Sequence, residues 1–166
     1  MLTLKANGKE HKVLEYGDAH PAPNLYTGTK DFTGSAWLEL SSWTKSPSSF
    51  HGLTVMRRQG AWQGLSQMVD AQAGEVYVFT ALVKADAGSE YQFVAVKGEG
   101  SATFEAAGEG VPVSYTAGQW QVVRRIVKIL TDGKIRPRIE ARTDSSAIEI
   151  CAIHLSKCSE ISYWCE

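Results

Sequence analysis

An all-β fold, a two-sheet antiparallel β-sandwich, is the class this sequence predicts, and three observations carry the prediction. No stretch repeats apolar residues at helical spacing over a useful length. About ten short runs rich in β-branched and aromatic residues follow one another, separated by glycine, asparagine, aspartate and serine. The clearest run places Tyr77, Phe79, Ala81 and Val83 at period two, so one strand face is apolar and can be buried against a second sheet.

The elements follow in order. Met1 to Val13 is extended, with Asn7-Gly8 as a tight turn. Glu15 to Pro23 carries two prolines and a glycine without periodicity and reads as a linker, so residues 1–23 form an arm and a module spans 24–155. Leu25 to Phe32 is a leading strand and turn, Trp37 to Leu40 alternates, and Ser41 to Ser49 is a serine-rich loop that exposes Trp43 at the sandwich end. Leu53 to Arg58 is a strand. Gln59 to Gly64 is a turn with Trp62 at its tip, and Leu65 to Val69 is a second short strand. Ala73-Gly74 turns the chain into the Tyr77 strand, and Tyr91 to Lys97 is another strand.

Gly98-Glu99-Gly100 and Gly108-Glu109-Gly110 bracket a hairpin rather than a phosphate loop, since neither a lysine nor a helix start follows. Trp120 to Leu130 is a long apolar strand interrupted by Arg124-Arg125, and Asp132-Gly133 is a two-residue hairpin turn after it. From Ile135 to Arg142, one face holds Ile135, Pro137, Ile139 and Ala141; the other holds Arg136, Arg138, Glu140 and Arg142. Proline within that run marks an edge or a bulge. Ala147 to Leu155 closes the sheet, leaving 156–166 as a C-terminal extension.

A chain of 166 residues is one domain, and its 43% hydrophobic content is ordinary for a globular protein. No apolar run is long enough to span a membrane, and Met1-Leu-Thr-Leu-Lys is not a secretory signal. The chain is therefore expected to stay in the cell that makes it, or to be an excised module. A net charge of −1 argues against nucleic-acid and membrane-surface partners, which select a positive field. All seven arginines fall in predicted strands, where they either bridge to acids across strands or contact a ligand. Three cysteines, Cys151, Cys158 and Cys165, cluster at the end; an odd, clustered count suits free thiols in a reducing compartment rather than a disulfide framework.

Catalytic groups are sparse. Cys151 and His154 are three apart on a predicted strand and are expected on opposite faces, which excludes a dyad. Glu140 lies between arginines, which favour its ionised form, so it reads as a salt-bridged or ligand-bonding carboxylate rather than a proton donor. Cys151, Cys158 and Cys165 with His154 do not match zinc spacing. The chain is accordingly expected not to be an enzyme and to need no cofactor.

One stretch suggests a ligand. Trp62 on a glycine-bounded turn, beside Arg58 and Gln67, can offer a flat platform to the apolar face of a pyranose while neighbouring side chains bond its hydroxyls. Arg58-x-x-x-Trp62-x-Gly64, then Leu65-Ser66-Gln67, then Ala73-Gly74-x-x-Tyr77-x-Phe79-x-Ala81-x-Val83-Lys84 resembles the jelly-roll carbohydrate-binding modules found beside glycoside hydrolases and in phage tail and baseplate (evolved distal tail) proteins. Gly118-Gln119-Trp120, Ile139-Glu140 and the final apolar strand fit the same order. Asn24-Leu25-Tyr26-x-Gly28-Thr29-x-Asp31-Phe32 is most similar to the versions inserted in phage baseplate proteins.

The resemblance implies a shallow groove on one sheet, lined by Trp62 and Glu140 at the family's two matching positions, with Tyr91 or Gln92 adding a further groove residue. Arg58 and Gln67 are read as donors, Trp43 as an end-loop contact, and Arg138 and Arg142 as groove residues if they face it. Guanidinium groups on the groove would suit an anionic, phosphate-bearing wall polymer. Each residue has a plainer reading: Trp62 as an edge cap, Gln67 as a buried amide, and Trp37, Tyr77 and Trp120 as core. Modules of this kind often hold a structural calcium through an Asp near the start of the final strand; here that strand reads Ile150-Cys151-Ala152-Ile153 and the usual acidic ligand is missing, which leaves Asp31 or other loop carboxylates as the alternative ligands for such an ion. The implied function is non-catalytic binding of bacterial surface polysaccharide, with the virion as location and a phage tail polypeptide as parent. The alternatives are a module of a wall hydrolase and a purely structural or protein-binding sandwich.

Overall fold

The computed structural model describes residues 2–6, 9–13, 23–95 and 102–158. The strands are β1 (Leu2–Ala6), β2 (Lys9–Val13), β3 (Thr44–Phe50), β4 (Leu53–Gln59), β5 (Val69–Ala71), β6 (Val76–Ala85), β7 (Tyr91–Val94), β8 (Phe104–Ala106), β9 (Gln121–Ile129), β10 (Gly133–Ile135), β11 (Arg138–Ala141) and β12 (Ala147–Cys158). A 3₁₀ turn covers Leu40–Ser42. The Gly98–Gly100 bracket, Lys97, the linker from 15 to 22, Trp164 and Cys165 lie outside the described residues.

One layer is a six-stranded antiparallel sheet in the order β3-β4-β12-β6-β9-β8. The other is assembled from shorter pieces. β11 pairs with β7 and β10 with β5. Single bridges widen this layer, Trp62 to Ala141 and Leu38 to Ser66 on one side, Gln92 to Pro112 and Phe93 to Glu109 on the other. β1 pairs antiparallel with β2, Ala6 opposite Lys9, and the expected Asn7-Gly8 turn lies outside the described residues.

The two layers meet over an apolar core in which Phe79 of β6 packs against Phe93 of β7 at 5.4 Å between ring centroids. The predicted alternation holds: Tyr77, Phe79, Ala81, Val83 and Ala85 are each at most 2% exposed. Burial of each large side chain contributes about 1.5–3 kcal/mol. Ile135 to Arg142 is not one strand: Pro137 separates β10, which pairs with β5, from β11, which pairs with β7, a full break where an edge or a bulge was expected, and the Tyr26 hydroxyl donates to the Pro137 carbonyl at 2.7 Å.

Other sequence expectations are corrected as well. Ser41 to Ser49 is not simply a loop: Thr44–Phe50 forms β3, whose edge position tolerates Pro47 at a register shift between Lys45 and Ser49. Leu65 to Val69 is irregular, and the strand forms later, at Val69–Ala71. Asp132-Gly133 does not make a hairpin; the chain crosses there from β9 in one layer to β10 in the other. Leu25 to Phe32 is bends and turns, with one backbone hydrogen bond from Leu25 N–H to the Leu155 carbonyl at 2.7 Å.

β12 explains that last difference. Cys151 lies opposite Leu82 and His154 opposite Thr80, so three residues of β12 face two steps of β6. Ala152 occupies the bulge with φ 54. The extra residue resets the alternation, so Cys151 and His154 lie on the same face, not on opposite faces as the spacing implies. Asn24 completes the irregular edge: its Nδ2 donates to the Ile153 carbonyl at 2.9 Å and its Oδ1 accepts from Leu155 N–H at 3.0 Å and Tyr26 N–H at 3.1 Å.

At the other end of β6, Glu75 accepts from the Tyr77 hydroxyl at 2.6 Å and Gln72 N–H at 2.8 Å, and pairs with Lys157. Burial pushes the Glu75 carboxyl up, but bonds from Lys157, Tyr77 and Gln72 pull it further down, to about 2. Its folded pKa is depressed, so its stabilisation is complete above about 4.5 and is lost as pH falls toward 2. Acid titration of unfolding should show this loss in the native chain and a smaller one in Glu75→Gln. Asn24→Ala should lower denaturant stability by about 2–3 kcal/mol, because three part-buried backbone groups, of Tyr26, Ile153 and Leu155, lose partners. Ala152→Gly should be neutral or stabilising by up to about 1 kcal/mol, and Ala152→Val destabilising.

Candidate functional site

The turn after β4 is built against backbone preference. Gly60 has φ 111, and the non-glycine residues Trp62 and Gln63 follow at φ 59 and 60. Each left-handed non-glycine residue costs about 1–2 kcal/mol and persists only where neighbours over-determine it. Arg58 supplies most of that constraint. Its Nε donates to the Trp62 carbonyl at 3.0 Å, its Nη2 to the Ala61 carbonyl at 3.0 Å and its Nη1 to the Ser42 carbonyl at 2.8 Å. Trp43 Nε1–H donates to the Gln63 carbonyl at 2.7 Å, and Trp62 N–H donates to the Ala141 carbonyl at 2.7 Å.

Gly64 then lets the chain close on β11: a Cβ there would lie 2.2 Å from the Ile139 carbonyl oxygen and 3.0 Å from Arg138 Cγ. The result is an indole that remains 44% exposed on an immobilised turn.

Beside the turn, Glu140 lies opposite Gln92 and Arg138 opposite Val94. Ile139, Ala141, Tyr91 and Phe93 belong to the core, so by alternation these four residues occupy the outward face of the second layer. They are nevertheless nearly covered, Arg138 and Glu140 at 3% exposure and Gln92 at 7%. Arg138 Nε and Nη2 both donate to Glu140 Oε1, at 2.7 and 2.6 Å, and Nη1 donates to the Arg136 carbonyl at 3.1 Å. Burial lowers the Arg138 pKa, and Glu140 opposes that shift. The second carboxylate oxygen, Glu140 Oε2, is buried without a hydrogen-bond partner. Arg142 lies 3.9 Å from Glu90, and Arg136 lies 3.9 Å from Glu39 and donates to Ser66 Oγ at 3.2 Å.

The expected site residues thus divide. Trp62, Glu140, Gln92 and Arg138 share one region, with Arg142 at its end. Arg58 lies beneath the turn as its brace, with all three guanidinium nitrogens bonded to carbonyls. Trp43 is 5% exposed rather than displayed at the sandwich end, because its indole N–H is drawn under the same turn. Gln67, at 5% exposure, donates to the Thr27 carbonyl at 2.7 Å and accepts from Thr27 N–H at 3.1 Å, the plainer of its two readings. Tyr91 is fully buried on the core side. Gln63 is exposed next to Trp62, and sequence reasoning passed over it; its place on the same glycine-bounded turn was the available signal.

Trp120, expected in the main core, packs instead on the outward face of the six-stranded sheet. Its ring is 5.2 Å from Phe50, with the Lys84 ammonium 5.2 Å from its centroid. It joins Phe50, Leu53 and Leu82 over Val55 and Cys151. Arg57 bonds Asp86 at 2.6 Å, the cross-strand reading of that arginine. The Cys151 thiol is pushed up to about 11, by burial first and Glu149 second, so it stays protonated at neutral pH and is a poor nucleophile despite sharing a face with His154.

No protein-family model matches the chain, and no curated protein matches it. Solved structures do. The CBM22-1 xylan-binding domain of Paenibacillus barcinonensis Xyn10C is 12% identical, with 70% of this chain aligned to 85% of that one at a TM-score of 0.50. A family 16 carbohydrate-binding module is 15% identical over 72% of this chain and 89% of that one, TM-score 0.49. The CBM6cm-2 module of Cellvibrio mixtus lichenase 5A, solved in complex with cellotriose, is 16% identical over 71% and 88%, TM-score 0.47. At these identities the likeness concerns the fold, an antiparallel jelly-roll sandwich.

The bracing makes a direct prediction. Arg58→Ala should lower stability by about 2–3 kcal/mol, since three carbonyls lose a charged donor. It should also speed amide exchange at Trp62, whose N–H bond to Ala141 depends on the turn. Hydrogen-exchange NMR on the folded variant reads both.

Proposed function

We propose that this chain is a non-catalytic carbohydrate-binding module whose ligand lies across the outward face of the second layer, beside Trp62. The observation that carries the proposal is the 44% exposed indole on a turn fixed by Arg58, Trp43 and Ala141. A fixed indole loses little conformational freedom on binding and offers its face to the C–H side of a pyranose. Glu140 Oε2, adjacent in register to Gln92, is an acceptor without a partner. A sugar hydroxyl satisfies it once the side chains above it move aside. Arg138 keeps the other oxygen in place.

Charge compensation points to a neutral glycan rather than the phosphate-bearing polymer that an open arginine ladder would select. Arg138 is paired with Glu140, Arg142 faces Glu90, Arg136 faces Glu39, and Arg58 is bonded to carbonyls. In the fuller form of this reading, the module holds a phage tail or baseplate to bacterial surface polysaccharide. The support is the resemblance of the Asn24–Phe32 opening, and many copies on one particle would raise avidity without new contacts.

Glycan-array and cell-binding measurements on Trp62→Ala test the proposal. Binding should be lost while the thermal transition stays nearly unchanged, because the side chain is exposed. Retained binding by the folded variant contradicts the platform. Binding by the native chain should also change little between low and high salt, as a charge-balanced face requires.

A further inference from the structure

The polar groups around Trp62 are not equally open to a ligand. Arg138, Glu140 and Gln92 are nearly covered, so they reach a bound ring only after the side chains above them move. Arg142 is opposed by Glu90, and the Asp144 carboxylate accepts from Ala61 N–H at 3.4 Å. Gln63 differs. It is exposed, it directly follows Trp62 in the turn, and its side-chain amide makes no hydrogen bond among the described residues.

The backbone that carries this amide is fixed on both sides. The Gln63 carbonyl accepts from Trp43 Nε1–H at 2.7 Å, and the Trp62 carbonyl accepts from Arg58 Nε at 3.0 Å. Trp62 N–H donates to the Ala141 carbonyl at 2.7 Å. The Gln63 Cα is therefore held next to that of Trp62, and its amide lies within one side chain's reach of the indole border. Gln63 has φ 60, a conformation that glycine adopts without strain. Glutamine keeps the strain and supplies an open polar group at the edge of the platform, and strain of this kind concentrates at ligand clamps.

We infer that Gln63 sets the specificity of the Trp62 site, its amide selecting a pyranose by two adjacent hydroxyls. The inference rests on the reading of Trp62 as the platform. Equatorial hydroxyls point outward in the plane of a stacked ring, past the border of the indole. A primary amide presents an acceptor oxygen and a donor nitrogen side by side. Two neighbouring gauche hydroxyls match it, one donating to Oε1 while the other accepts from Nε2. A carboxylate or phosphate offers acceptors only and leaves Oε1 unsatisfied. The acetamido group of an N-acetylated sugar fits less well. Its secondary amide is trans, so N–H and C=O point in opposite directions and one side chain cannot bond both.

The test is a titration of the ¹⁵N-labelled chain with methyl β-glucopyranoside, its singly deoxygenated ring analogues and methyl N-acetyl-β-glucosaminide. The Trp62 indole N–H and the Gln63 side-chain amide are followed. The glucoside is the probe because its ring hydroxyls are all equatorial, so every neighbouring pair is gauche. Both signals should shift saturably at concentrations up to about 100 mM. Removing either hydroxyl of one adjacent pair should weaken binding by about fivefold in the native chain and by less than about twofold in Gln63→Ala. Gln63→Gly, which the positive φ accepts, should match Gln63→Ala in binding without lowering the urea midpoint, and it decides alone should Gln63→Ala not fold. Equal losses in the native chain and the variants overturn the inference and leave the platform standing. So does a Gln63 amide that stays in place while Trp62 shifts. Tighter, Gln63-dependent binding of the N-acetylglucosaminide overturns the selection by hydroxyls. A Trp62 signal that no probe moves overturns the platform reading itself, and this inference with it.

Discussion

Three bonds from one guanidinium hold the part of this molecule on which its functional reading depends. The turn from Ala61 to Gln63 carries two consecutive non-glycine residues in the left-handed region, a conformation the backbone does not adopt unaided. Arg58 bonds the carbonyls of Ala61, Trp62 and Ser42, and Trp43 bonds that of Gln63 from below. On the strained turn Trp62 stays 44% exposed while its backbone N–H is hydrogen-bonded to Ala141 of β11. Arg58 and Trp43, which look like ligand contacts in the sequence, thus bond the backbone of the turn that carries Trp62.

The charges divide along the same lines. On the second layer Lys134, Arg136, Arg138 and Arg142 each meet a carboxylate, and the Arg138–Glu140 pair is buried almost completely. A buried pair of this kind adds little net stability, but loss of either partner is expensive, about 3–5 kcal/mol. Its structural consequence is local: one Glu140 oxygen is held and the other is left as an acceptor. Arg125, at the opposite edge of the sandwich, is the contrasting case, a core-side guanidinium without a carboxylate partner among the described residues.

The fold was legible wherever one face of a strand is apolar. Tyr77 to Val83 and the two faces of Ile135 to Arg142 follow from period two, and Pro137 marked the break between β10 and β11. What was not legible depends on partners distant in sequence. Thr44–Phe50 is an edge strand lacking a buried face, so its serines and proline read as loop. The bulge at Ala152 bears no glycine to announce it, yet it reverses the facing of every residue beyond it and puts His154 beside Cys151. Turn chemistry marks Asp132-Gly133 as a reversal but does not say which strand pairs next. For the site, an exposed indole on a glycine-bounded turn was readable from Trp62. The partners of Arg58, Gln67 and Trp43 are backbone groups that only tertiary structure brings near.

The central claim is that Trp62 is the surface on which a sugar ring rests. Incorporation of 5-fluorotryptophan gives each indole its own ¹⁹F resonance, and the Trp62 signal can be assigned by its absence in Trp62→Phe. On titration with soluble neutral oligosaccharides, the account predicts that the Trp62 resonance shifts saturably while those of Trp37, Trp43 and Trp120 stay in place. A ligand that saturates the protein but moves another indole and leaves Trp62 untouched would contradict it.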